Sequence, residues 1–293
     1  MTKHRDLLAR HSFALIDRAA VHQRPWHDSL PMLPLVPREL RSDESDMPAL
    51  LALNPDEPYF DLLEQNLISA EENPSEHFLS CLLVVGHSVN IKILTAHLTS
   101  RLVLSSPQGK VFLRYYDHRV FPHLVRILSQ PYLKSLFGPH EQVVQWTYRF
   151  QNDWITVPAP DTSNGVAHYW YANAETREKL EYTGLINSVL RKYSRQLKRP
   201  WQSPEEFEKY IDSAETAILL GQRLYHLSAT EDLVAFGLHA LKYGADFHRL
   251  DPIQRILHDE ARRKLGDYAF TTEGFTHDEW AQITSETPFN QRI

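Results

Sequence analysis

Four groups of residues in this 293-residue chain could do chemistry by type and spacing. The first is Gly86-His87-Ser88-Val89-Asn90, which follows the apolar run Cys81-Leu82-Leu83-Val84-Val85 and precedes a helical pattern. An α/β-hydrolase places its nucleophile in G-x-S-x-G at such a strand-to-helix turn, where strain exposes the serine hydroxyl. On that reading Ser88 is the nucleophile of a lipase- or esterase-like serine hydrolase. The second glycine of the motif is Asn90 here, and no His-Gly or Gly-Gly oxyanion segment precedes it. No acid-then-histidine pair stands out downstream. A serine opening a helix also serves as its N-cap, accepting an amide N–H of the first turn. That accounts for the same residues, so we expect Ser88 to be a cap and the chain to be no enzyme.

The second group is the 16 histidines, among them His4, His11, His22, His27, His77, His87, His97, His118 and His123. They are scattered, with no H-E-x-x-H and no Cys/His ladder, so we expect structural histidines and no metal. With no G-x-G-x-x-G and no G-x-x-x-x-G-K-[ST] either, no cofactor is expected. The third group is basic: Arg191, Lys192, Arg195, Lys198 and Arg199, with Tyr193 interleaved and Trp201 beyond. A helix face for RNA or an acidic partner would look like this, and so would a solvated face in a lobe also rich in Glu and Asp. The fourth is Phe112-Leu113-Arg114-Tyr115-Tyr116-Asp117-His118-Arg119-Val120. As a strand it would put Arg114 and Tyr116 on one side and Leu113 and Tyr115 on the other. An arginine in so apolar a segment needs a partner, because an unpaired buried charge is costly. Asp117 is the natural one, giving either a structural ion pair or a strand-end contact site.

The elements that must position these groups fall into two textures. Strands are expected at Phe13–Ile16, Ala49–Leu53, Cys81–Val85, Val111–Tyr116, Val143–Phe150 and Trp154–Val157, interleaved with helical patterns. A helix opens at Asn54-Pro55-Asp56, another carries Ile91, Leu94, Leu98 and Leu102, and a third runs from Val120 to Leu136 with a break at Pro131. From about Glu175 the chain reads as nearly all helix. Ser203-Pro204-Glu205-Glu206 has N-cap, N1 proline and acidic first turn in place. Ser228-Ala229-Thr230-Glu231 spells a capping box, and a last helix runs from Asp251 to Leu265. The expected fold class is α+β: a mixed α/β lobe at 1–165, then a helical lobe at 170–293. Pro158-Ala159-Pro160-Asp161-Thr162-Ser163-Asn164-Gly165 would be the link.

Composition narrows the function further. At 42% hydrophobic residues the chain can fill a core, and a net charge of −6 gives no electrostatic case for nucleic acid or an anionic membrane. Cys81 is the only cysteine, so no intramolecular disulfide forms. No secretory signal opens the sequence and no run reaches the ~18 apolar residues of a membrane span. A cytoplasmic protein without membrane insertion is expected.

The segment Leu113-Arg114-Tyr115-Tyr116-Asp117-His118-Arg119 resembles the L-R-[FY]-[YF]-D-P-R signature of the type VI secretion effector-adaptor (chaperone) family, formerly a domain of unknown function. Other landmarks follow the family's order: Phe13-Ala14-Leu15-Ile16-Asp17 with Ala19 or Ala20, then Met47-Pro48-Ala49-Leu50-Leu51. After them come Leu102–Leu104 before Gln108-Gly109, and Leu136-Phe137-Gly138-Pro139 ahead of Trp146. The sequence departs from the pattern at His118, where proline is usual, and at Ala49, where an aromatic is common. The resemblance implies a non-enzymatic carrier that binds a toxin effector and loads it onto the valine-glycine-repeat spike protein, VgrG, with no small-molecule substrate. Structural or interface roles are expected for Arg114, Tyr116, Asp117, Arg119, Phe137 and Trp146, and in the helical lobe for Tyr193, Trp201, Phe207, Tyr210 and Tyr225.

Overall fold

The computed structural model describes residues 2–21, 24, 26–73, 78–87, 89–139, 142–151, 153–161, 170–197, 199, 201–259 and 266–285. The chain divides into two compact units, Met1–Leu180 and Glu181–Ile293. The division falls within a helix and not in the proline-rich stretch expected to separate 1–165 from 170–293; residues 162–169 of that stretch lie outside the described residues.

The first unit is built on a six-stranded, wholly antiparallel sheet in the order β2-β3-β1-β4-β7-β8. Its strands are β1 (Phe13–Ile16), β2 (Leu33–Pro34), β3 (Ala49–Ala52), β4 (Leu79–Val85), β7 (Val143–Phe150) and β8 (Asp153–Pro158). A separate hairpin pairs β5 (Val103–Ser106) with β6 (Gly109–Phe112). Side chains alternate across each strand, and here both faces are apolar. Leu15, Leu50, Cys81, Leu83, Trp146 and Tyr148 enter one core with Leu94 and Leu98 of α3 (Ile91–Arg101), Phe121 and Leu124 of α4 (Phe121–Ile127), and Leu133 and Phe137 of α5 (Gln130–Phe137). Ala14, Ile16, Leu51 and Leu82 enter a second core with Leu8 of α1 (Lys3–Ala9) and Phe60, Leu63 and Leu67 of α2 (Pro58–Glu72). Strands buried on both faces read as continuous apolar runs, which is why β4 is LSCLLVV.

Several expectations change at this point. The Val111–Tyr116 strand ends at Phe112, and Leu113–Val120 is a chain of turns tied by Tyr115 N to Leu113 O, Asp117 N to Arg114 O and Val120 N to Asp117 O. Side-chain alternation therefore does not apply: the consecutive Tyr115 and Tyr116 are both buried, at 0% and 1% exposure. Helix α3 is capped by Asn90, whose Oδ1 accepts Lys92 N at 2.8 Å. Ser88, expected as that cap, lies outside the described residues. The break expected at Pro131 in the Val120–Leu136 stretch is present, and it divides two helices, with Pro131 in the first turn of the second. The N-terminal helix α1, unforeseen, is capped by Thr2 Oγ1 accepting Arg5 N.

The helix α6 (Ala174–Leu197) runs across the division, and the second unit adds α7 (Pro204–Tyr225), α8 (Thr230–Tyr243), α9 (Asp251–His258), α10 (Asp267–Glu273) and α11 (His277–Ser285). Tyr182, Ile186, Val189 and Leu190 recur at helical spacing and pack on Ile211, Ala214 and Ile218 of α7 and Leu233 and Val234 of α8. Ser203 caps α7 as expected, accepting Glu206 N at 3.1 Å. The capping box at α8 does not form: the N-cap is Ala229, without a side-chain bond. Helix α9 stops at His258, short of the expected Leu265. Gly266 is the N-cap of α10, and buried Asp232 of α8 accepts Gly266 N at 3.0 Å and Ala269 N at 2.8 Å, tying the two helices together.

Candidate functional site

The turns after β6 bring Arg114, Tyr116, Asp117 and Arg119 together with Asp17, the residue that ends β1. Asp117 is the centre. Only 5% exposed, its carboxylate accepts Arg119 Nε at 2.9 Å, Arg119 Nη2 at 2.7 Å and the Arg119 backbone N–H at 2.9 Å. Two parallel guanidinium bonds are the strong form of this interaction. Arg114, expected to be the partner of Asp117, is secondary: its Nη2 lies 3.5 Å from Asp117 Oδ2 and 3.4 Å from Asp17 Oδ2, and its guanidinium sits 5.6 Å from the Tyr116 ring centroid. The two arginine side chains remain 42% and 59% exposed, for Arg114 and Arg119 respectively.

The electrostatics of the two carboxylates diverge. Burial works to raise the Asp117 carboxyl, but the hydrogen bonds and charge of Arg119 outweigh it and hold Asp117 below the ordinary carboxylate range. Asp17 goes the other way: burial raises it, opposed by Arg114 and reinforced by the nearby charge of Asp117. Tyr116 is pushed up to about 12, chiefly by burial, and His118 down to about 4 for the same reason.

Beneath this surface group lies an aromatic core. Trp146 stacks on Phe121 at 4.9 Å and 14°, and meets Tyr115 and Phe137 edge-on at 5.5 and 5.8 Å. Tyr115 Oη donates to Leu98 O at 2.8 Å, and Cys81 Sγ donates to Tyr116 O at 3.2 Å. These contacts anchor the turn segment to the sheet from below. Phe137 and Trp146 are fully buried, so in this structure neither side chain lies on a surface open to a partner. The fully buried Cys81 thiol is pushed up by desolvation, as an inert core cysteine is.

In the second unit Tyr193, Trp201, Phe207 and Tyr210 form one half-buried cluster, Trp201 lying 4.9 to 6.2 Å from the other three rings. Arg199 grips Glu206 beside it at 2.6 and 3.2 Å. Tyr225 does not join them. It is 6% exposed in a different core, its hydroxyl 2.7 Å from His248 Nδ1. Sequence reasoning grouped these five by composition; α6 and α7 separate Tyr225, which sits 15 residues beyond Tyr210 at the far end of α7.

Asp17 was missed as a charged member of the site. Its signal was present: an acidic residue directly after an apolar strand, with an apolar segment containing two arginines elsewhere in the chain. Among the described residues no group of three His, Cys, Asp or Glu side chains is placed to hold a metal ion, and no helix is long and apolar enough to cross a membrane. Comparison of the chain with protein-family models, with curated proteins and with solved structures found no match.

Proposed function

We propose that this chain is a non-enzymatic adaptor that binds a type VI secretion toxin effector in the cytoplasm and loads it onto the VgrG spike protein. The observation that carries the reading is the meeting of Asp17 with Arg114, Asp117 and Arg119. These residues come from two of the segments on which the family resemblance rests, 97 positions apart between Asp17 and Arg114. They converge on a surface where two guanidiniums are held in place yet remain open to solvent. Arginines pre-organised by carboxylates suit a protein interface, since little side-chain freedom is lost on binding. The half-buried rings of Tyr193, Trp201, Phe207 and Tyr210 supply a second surface of the kind that dominates binding energy at interfaces. No catalytic residue, cofactor, small-molecule substrate or nucleic acid enters the proposal.

The test is co-purification of the full-length chain with the toxin encoded beside its gene and with the spike. Both should be retained, and Arg114→Ala should fold normally while weakening toxin capture about tenfold, as loss of an interface arginine does. Capture of neither protein, or acyl-ester hydrolysis that disappears with Ser88→Ala, would overturn the adaptor reading.

A further inference from the structure

Helices α1 and α2 meet where an apolar row and an acidic row run side by side. Within α2, Phe60, Leu63, Leu67 and Ala70 recur at helical spacing and are buried. Asp61, Glu64, Ile68 and Glu71 form the next row round the same helix. Glu72 adds one more acid, and α2 contains no lysine, arginine or histidine. The ion pairs of Asp61, Glu64 and Glu71 all go to Lys3, His4 and Arg5, the basic start of α1.

Arg5 Nη1 donates to Asp61 Oδ1 at 2.6 Å and to Glu64 Oε2 at 3.0 Å, and its guanidinium lies 5.2 Å from the Phe60 ring centroid. Lys3 Nζ is 2.6 Å from Glu71 Oε1, His4 Nε2 is 3.2 Å from the same oxygen, and Thr2 Oγ1 donates to Glu64. The hydrogen bonds of Thr2 and Arg5 hold Glu64 below the ordinary carboxylate range, and that of Lys3 does the same for Glu71. Beneath this charged layer Leu8 is the one fully buried apolar side chain that α1 contributes, packed in the core that holds Phe60, Leu63 and Leu67.

Such a contact is easily opened. At seven residues α1 is well under the roughly 12–15 that an isolated helix needs, so it is helical because α2 holds it. Ion pairs between exposed side chains such as Lys3 and Asp61 are weak and are screened by salt. Nor does α1 cover the whole face: Ile68, in the acidic row between Glu64 and Glu71, stays 45% exposed. A longer helix with the same basic first turn and a leucine one turn on would make the contacts of α1 and cover Ile68 as well.

We propose that this face of α2 is a docking groove for a basic amphipathic helix of a protein partner, and that α1 is the strap that fills it in the free chain. Helices laid in grooves bind through anchors three and four residues apart. Phe60, Leu63, Leu67 and Ile68 supply the apolar wall for those anchors. Asp61, Glu64 and Glu71 select a positively charged helix and fix its direction, as they do for α1. The partner competes with α1 for the same groove, so binding and release of the strap are one event. The proposal rests on the adaptor reading only for which protein brings the helix.

The experiment uses the full-length chain and a fluorescent peptide copying residues 2–12, so it needs neither toxin nor spike and its failure is separate from theirs. In the wild-type chain, amide exchange at Leu7, Leu8 and Ala9 should be faster than at Leu82 of β4. It should quicken about tenfold between about 0.05 M and 1 M salt, as screened ion pairs release the strap, with Leu82 unaltered. Arg5→Glu sets a like charge against Asp61 and Glu64; it should quicken the same amides and raise peptide affinity about tenfold. Adding Asp61→Lys and Glu64→Lys to that variant should restore the protection and remove the gain, with Leu82 exchange showing that each chain is folded. A peptide carrying Leu8→Ala should bind Arg5→Glu at least about tenfold more weakly. Strap amides that exchange as slowly as Leu82 at both salt concentrations, or peptide that binds Arg5→Glu no better than wild type, overturn the proposal. So does strap exchange that slows as protein concentration rises without peptide, which would make the occupant a second copy.

Discussion

Asp117 and Arg114 sit 3.5 Å apart, yet their environments are unlike, and their substitutions should differ accordingly. Asp117 is buried and its carboxylate accepts three bonds from Arg119, two from the guanidinium and one from the backbone N–H. Hydrogen bonds to charged groups contribute about 1.5–3 kcal/mol each at most, with strong non-additivity inside one group. Asp117→Ala should therefore cost about 3 kcal/mol in a denaturant unfolding experiment. Arg114 is 42% exposed with long contacts, and its loss should cost under about 1 kcal/mol, the usual value for a solvent-screened pair. Equal destabilisation by the two would show that Arg114 is a structural partner of the same rank. The apolar run around Arg114 pointed to a buried pair with Asp117, but Arg119 is the main partner because the turn after Asp117 folds the Arg119 side chain and amide back onto the same buried carboxylate.

Helix α3 shows how an element can be legible while its first residue is not. The stripe Leu94, Leu98, Leu102 is buried as its spacing requires, whereas Ile91, assigned to the same stripe, is 37% exposed. Asn90 and Ser88 are both good caps by type, and the backbone chose Asn90. Asn90→Ala should lower stability by about 1 kcal/mol, read as a shift in unfolding midpoint without a change in slope; an unchanged midpoint would show that the cap contributes nothing. Strands β1, β3, β4, β7 and β8 were legible because each is an apolar run closed by polar or turn residues. Other features were hidden. Strand β2 is two residues, too short for any period. Tyr115 and Tyr116 mimic a strand while packing over one. The antiparallel pairing of β1 with both β3 and β4 depends on contacts between segments that local pattern does not report. The arginine-aspartate site was legible in three of its four charged members, and the fourth, Asp17, is a product of that same long-range pairing.

Each of the two units buries a neutral histidine, and this sets the molecule's response to acid. Burial pushes His97, hydrogen-bonded to Leu136 O in the first unit, down to about 4, and His239, beside Tyr268 Oη in the second, down to about 3. His118 adds to the first unit, also at about 4. Below the unfolded value near 6.5 the unfolded chain binds these protons and the folded chain does not. Stability is full above that value and falls with pH down to the folded values, by up to about 1.4 kcal/mol per pH unit for each histidine. Asp117, held low in the folded state, contributes in the same direction below the unfolded carboxylate range. Thermal unfolding followed from pH 7 to pH 4.5 should show a steep loss that His239→Gln makes shallower. A flat profile over that interval would mean that the buried histidines are protonated in the folded protein.

The order β2-β3-β1-β4-β7-β8 also carries a clock. β1 and β3 can meet once about fifty residues have left the ribosome, and β4 joins them when the chain reaches Val85. The far side of β4 then waits for β7, which begins at Val143 and supplies Trp146 to the aromatic core. At synthesis rates of about 5–20 residues per second the wait lasts about 3–12 seconds, in which the apolar strand β4 has one edge unpaired. Emergence of β7 and β8 ends that interval, making the nascent chain of about 90–140 residues the form most in need of shelter.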